Sequence, residues 1–111
     1  MKKILFVEDE ESLQKVIKET LEKNGYSVIS ALDGEDGIQL AQKEKPDLIL
    51  LDLILPKKDG FEVLSVLKKG SDTAVIPVIV LTNLEGSEDV EKALSLGART
   101  YLVKSNYSLD D

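Results

Sequence analysis

A chain of 111 residues that is 42% apolar can bury one core and not two. Its net charge of −7, from 14 Lys and Arg against 21 Asp and Glu, argues against nucleic acid or anionic membrane as a direct partner, because phosphate neutralisation needs clustered cations. It has no Cys and no His, which excludes disulfides, thiolate chemistry, imidazole-bound metals, Ser-His catalysis and an internal phosphohistidine.

Met1-Lys2-Lys3 leads straight into a short apolar run ending at Val7. The run is too short for a signal peptide or a membrane span, so a cytoplasmic protein is the expectation. Ile4 to Val7 reads as a buried strand, and Leu13, Val16, Ile17, Thr20 and Leu21 then mark one face of a helix that Asn24-Gly25 stops. Tyr26 to Ala31 is a second strand. Asp33 caps a helix that turns Ile38 and Ala41 inward and ends before Pro46. Leu48 to Leu51 is continuously aliphatic, as a central parallel strand is. Pro56 and Asp59-Gly60 make a turn into a third helix facing inward with Val63, Leu64 and Leu67, which stops near Gly70. Val78 to Leu81 is a fourth strand. Ser87 caps a helix with Glu88 and Asp89 in its first turn, with Val90, Ala93 and Leu94 inward and Gly97 at its end. Thr100 to Val103 is the last strand.

Strands that alternate with helices imply right-handed crossovers and a parallel sheet covered on both faces. The fold class is therefore α/β, a doubly wound five-stranded parallel sheet, with no linker dividing residues 1–111. Ser108-Leu109-Asp110-Asp111 reads as the start of a fifth helix, with a capping hydroxyl and first-turn acids. The single domain thus reads as truncated there, or as one whose bare face another chain covers.

Five polar residues close the apolar runs: Glu8 and Asp9 after the first strand, Asp52 after the third, Thr82 after the fourth and Lys104 after the fifth. Taken singly, each has an ordinary reading: a solvated first turn for the acids near residue 8, a turn former at Asp52, a strand-end cap at Thr82, a solvated lysine at Lys104. Ligands of open α/β sheets bind beyond the carboxyl ends of the strands, where the strand order reverses. In the order 2-1-3-4-5 the first and third strands flank that point, so the three acids would converge. They would repel one another without a cation, and an all-oxygen set with open positions suits Mg2+ or, alternatively, Mn2+. Asp52 could then serve as a nucleophile that becomes an aspartyl phosphate, with Lys104 and Thr82 meeting the phosphoryl oxygens.

The segments ILFVEDEE, LILLDLILPKKDGFEVL, VIVLTN and GARTYLVK resemble a response-regulator receiver domain of two-component signalling, at that family's spacings over nearly the whole chain. The resemblance implies a (βα)5 flavodoxin-like fold, here with its last helix missing or only begun. It implies that Asp52 is the phosphoacceptor. Asp9, Asp52 and the Ile54 carbonyl would bind the metal directly, and Glu8 would act through a water. Thr82 and Lys104 would contact the phosphoryl group, with the amides of Ile54 and Asn83 completing its cradle. Tyr101 would be the aromatic switch that turns inward as Thr82 moves, and Pro56 and Gly60 would belong to the turn after the third strand.

The implied function is a phosphoacceptor switch rather than an enzyme, one that assists only its own phosphorylation and dephosphorylation. Its partners would be a sensor histidine kinase or histidine phosphotransfer protein, and a downstream protein docking on the fourth-helix and fifth-strand face. A dimer is compatible with this reading, and no output domain is expected within these residues. The chain departs from the family at Ser105, where Pro is usual, at Asn83, where a small residue is usual, and at Ile54 and Leu84, which are apolar where polar residues often assist an attacking water. The last two predict a long-lived aspartyl phosphate. Three other classes compete: a receiver-shaped interaction module that is never phosphorylated, a flavodoxin-like cofactor binder and a haloacid-dehalogenase-type phosphatase. The intact acid set disfavours the first. Acids in place of a phosphate loop after strand one disfavour the second. The third needs Asp-x-Asp at the first strand, whereas Asp52 follows the third and has Ile54 two residues on.

Overall fold

The computed structural model describes residues 2–53, 55, 59–82 and 87–103. Five strands, β1 (Lys3–Val7), β2 (Ser27–Ala31), β3 (Leu48–Leu51), β4 (Val78–Thr82) and β5 (Thr100–Val103), alternate with four helices, α1 (Glu11–Lys23), α2 (Gly34–Glu44), α3 (Gly60–Lys69) and α4 (Ser87–Ser95). The sheet is parallel throughout, as the alternation of elements predicts, and ordered β2-β1-β3-β4-β5, the order that the receiver resemblance implies.

Why the elements form where they do follows from local chemistry. Asp33 accepts from the Asp36 amide at 2.9 Å and so caps α2. Asp59 caps α3 in the same way, accepting from the Glu62 amide at 3.0 Å, a role beyond the plain turn expected of Asp59-Gly60. After α4 the chain reverses at Gly97, whose φ of 110° suits a residue without a Cβ.

The core has two unequal parts. On one side of the sheet Leu5, Val7, Ile49, Leu51, Val78 and Val80 pack, fully buried, beneath α2, α3 and α4. On the other, Phe6, Ile17 and Val28 form a smaller cluster under α1, with Leu50 and Leu81 only half-buried against it. The alternation of buried and half-buried residues along β3 thus records one thickly and one thinly covered face.

Two inward assignments are corrected. Val16 is 39% exposed and Leu94 45% exposed. Helix α1 is rotated so that Gln14, not Val16, lies beside Ile17 on the inner face, because three backbone carbonyls await the Gln14 amide. Helix α4 turns the small Ala93 fully into the core, which leaves Leu94 on its outer side.

Candidate metal and phosphoacceptor site

The strand register sets the site. Val7 of β1 lies opposite Leu51 of β3, so the residues that follow, Glu8 and Asp52, leave the sheet side by side. The Asp52 amide donates to the Val7 carbonyl at 3.0 Å, which carries the ladder one step past the last paired residues. The Glu8 amide donates to Ala31 of β2 at 2.9 Å. Its carboxylate Oε2 accepts from the Glu10 amide at 3.1 Å. Glu8 is 1% exposed and Asp52 5% exposed, while Asp9 faces solvent.

One carboxylate oxygen from each of Glu8, Asp9 and Asp52 lies within 4.8 Å of the others. At that separation three negative charges repel strongly, and two of them are screened from water. Oxygen-only donors, two buried and one open to solvent, fit a hard divalent cation that keeps part of its water shell. The fit rests on this chain's own geometry.

Gly60 packs against the backbone that carries Asp52. A Cβ placed on it would overlap the Leu53 Cα and the Asp52 carbonyl oxygen, and its amide donates to the Leu53 carbonyl at 2.8 Å. The start of α3 is therefore seated directly on the turn that carries Asp52. From there the contact continues outward, since the Lys92 ammonium of α4 lies 4.4 Å from the centre of the Phe61 ring in the first turn of α3.

Of the other predicted site residues, Thr82 ends β4 and pairs in register with Val103, the last residue of β5. Ile54, Asn83, Leu84, Lys104 and Ser105 lie outside the described residues, as do Pro56, the Thr82 side chain and the expected start of a fifth helix. Tyr101 is half-buried and packs against the larger core cluster. Burial pushes its hydroxyl pKa up, and the negative charges of Asp89 and then Asp52 push the same way. Sequence reasoning missed Gln14 and the Phe61–Lys92 contact, and it read Asp89 as a first-turn acid without its effect on Tyr101; these roles come from packing across elements.

This open parallel sheet with an acidic group at its switch point defines a doubly wound α/β protein. The chain belongs to the response regulator receiver domain family, whose model matches residues 4–109. The alkaline phosphatase synthesis transcriptional regulatory protein PhoP of Bacillus subtilis is 45% identical over 103 residues, which is 93% of this chain and 42% of that protein. The chain spans about two-fifths of the length of the curated relatives it matches first. The crystal structure of the Mn2+-bound form of response regulator Rcp1 is 38% identical with a TM-score of 0.89, covering 99% of this chain and 86% of that one. The phosphorylated cyanobacterial phytochrome response regulator RcpA is 34% identical with a TM-score of 0.86, covering 93% of this chain and 80% of that one. The chain is thus a receiver domain of the response-regulator type. Among the described residues, no helix is long and apolar enough to cross a membrane.

Proposed function

We propose that Asp52 accepts a phosphoryl group with Mg2+ held by Glu8, Asp9 and Asp52, and that the modified domain then offers a changed surface to a protein partner. The observation that carries this reading is the convergence of the three carboxylates within 4.8 Å at the ends of β1 and β3. The Mn2+-bound and phosphorylated relatives support it.

Bound there, the cation would supply charge neutralisation for the incoming phosphoryl group. The residues supply the rest. A carboxylate oxygen of Asp52 attacks phosphorus, the new O–P bond forms as the N–P bond of a phosphohistidine breaks, and the donor imidazole leaves. Because this chain has no His, the donor is a kinase or phosphotransfer protein. Glu8, pinned at its amide and its carboxylate, holds the acid loop against the sheet. Direct metal ligation by the Ile54 carbonyl, and phosphoryl contacts from Thr82 and Lys104, belong to this reading as proposals. Tyr101 would report the change, a reading supported by the upward push on its hydroxyl pKa from burial, Asp89 and then Asp52. A partner docking at α4 and β5 would read that report.

Incubation with Mg2+ and acetyl phosphate or phosphoramidate, followed by intact mass measurement, tests the proposal. One phosphoryl adduct on the wild type, absent without Mg2+ and absent from Asp52→Asn, is the expected result. An adduct that survives in Asp52→Asn refutes it.

A further inference from the structure

Gln14 is a polar residue on the inner face of α1, 5% exposed. Its amide nitrogen Nε2 lies within hydrogen-bond distance of three main-chain carbonyl oxygens, Phe6 at 2.9 Å, Glu8 at 3.0 Å and Ala31 at 2.9 Å, which share its two hydrogens. Turning the amide over would face its oxygen toward three carbonyl oxygens, so the orientation is fixed by its surroundings. The amide oxygen Oε1 is buried with no hydrogen-bond partner among the described residues, a cost that an apolar side chain of the same length would avoid. What the glutamine gains in return is a tie between the end of β1, the end of β2 and the loop that carries the acids.

We propose that Gln14 is a positioning residue for the metal-binding acids: its amide clamps the Glu8 carbonyl to the ends of β1 and β2, so that Glu8 and Asp9 stand gathered before a divalent cation arrives. This rests on the metal reading of the acid group given above. Three carboxylates with oxygens within 4.8 Å push one another apart; the amides of Asp52 and Glu8 are tied to neighbouring strands, and the Gln14 bond to the Glu8 carbonyl secures the point where the chain leaves β1 toward Asp9. Glu8 is then held at its amide by Ala31, at its carbonyl by Gln14 and at its carboxylate by the Glu10 amide. Removing the clamp lets the loop relax outward, and the cation must gather it again on binding. Partners that orient metal ligands without touching the metal act in this way.

Titration with Mn2+, followed by the electron-paramagnetic signal of the unbound ion, tests the inference. Gln14→Met keeps the length and bulk of the side chain and removes the donor. It should weaken Mn2+ binding by about 10-fold. Thr73→Val removes a buried hydrogen bond to the Leu67 carbonyl in the turn leading into β4, at the other end of the strands, and should leave Mn2+ binding unchanged. Unchanged affinity in Gln14→Met, or an equal loss in Thr73→Val, overturns the inference. A wild type that binds no Mn2+ at millimolar concentration overturns the metal reading itself and the clamp with it. Should Gln14→Met fail to fold, nitrogen-15 spectra of the wild type decide: the Gln14 side-chain amide signals should resist hydrogen exchange and shift on adding Mg2+, and signals that stay in place overturn the inference.

Discussion

Gly60, the first residue of α3, rests against the backbone of Asp52 so closely that no side chain can stand between them. Gly60→Ala must displace either α3 or the Asp52–Leu53 turn, and backbone does not yield as a flexible side chain would. We expect a loss of about 2 kcal/mol in urea unfolding, in the range for overpacked buried sites. We also expect weaker Mg2+ binding, because Asp52 moves with the turn. An alanine variant with wild-type stability and Mg2+ affinity would show that the contact relaxes freely.

The acid group costs stability when no cation is bound. Asp52→Asn should raise the unfolding midpoint in a chelator by the equivalent of about 1 kcal/mol, since it removes one of three converging charges. The wild type should instead gain about 1.4 kcal/mol when Mg2+ reaches ten times its dissociation constant, and the variant should gain far less. Calorimetry with and without Mg2+ measures both. A variant less stable than wild type in chelator would mean that the hydrogen bonds of Asp52 outweigh the repulsion.

Tyr101 gives the domain a signature at alkaline pH. Its pKa in the folded protein lies above the ordinary value of 10.0, through burial first and then the charges of Asp89 and Asp52. The unfolded chain therefore loses this proton first. The contribution of Tyr101 to stability is fully present below pH 10.0 and is lost as pH rises through the folded pKa. Stability of Tyr101→Phe should fall less steeply across that window than that of wild type. Neutralising Asp52 by Asp52→Asn should bring the Tyr101 titration back toward 10.0 in the phenolate absorbance, read as wild type minus Tyr101→Phe.

The Lys92–Phe61 contact is on the surface and soft. Lys92→Ala should cost about 0.5 kcal/mol, within the range for exposed cation–π pairs, and Lys92→Arg should recover most of it. Unfolding curves of the three proteins at one ionic strength decide this. Equal stability of Lys92→Ala and wild type would mean that the ammonium gains nothing from the ring.

Glu8, Asp9 and Asp52 were legible in the sequence because each ends an apolar run, and a parallel sheet brings such ends to one rim. Asp33 was legible as a cap because capping is local, reaching only to Asp36. Gln14 was not legible. A polar residue beside an apolar stripe reads as solvated, and its burial comes from carbonyls 6, 8 and 17 residues away that only the folded sheet brings together. Val16 and Leu94 misled for a related reason. Periodicity gives the width of a helical stripe, but the rotation of the helix is set by what it meets, here three carbonyls for α1 and the close fit of Ala93 for α4. The contacts of Gly60 with Asp52 and of Lys92 with Phe61 depend on how α3 and α4 are seated, which no single segment encodes.

The amide of Asp52 bound to the carbonyl of Val7 has a wider meaning. It makes the seam between β1 and β3 and the spacing of the acids a single mechanical unit. An ion held across that seam would act as a rivet, and hydrogen exchange at the Asp52 amide would gauge how tightly it is set. Mutations deep in β1 or β3, far from any ligand, would then register as altered sensitivity to magnesium before they register as misfolding.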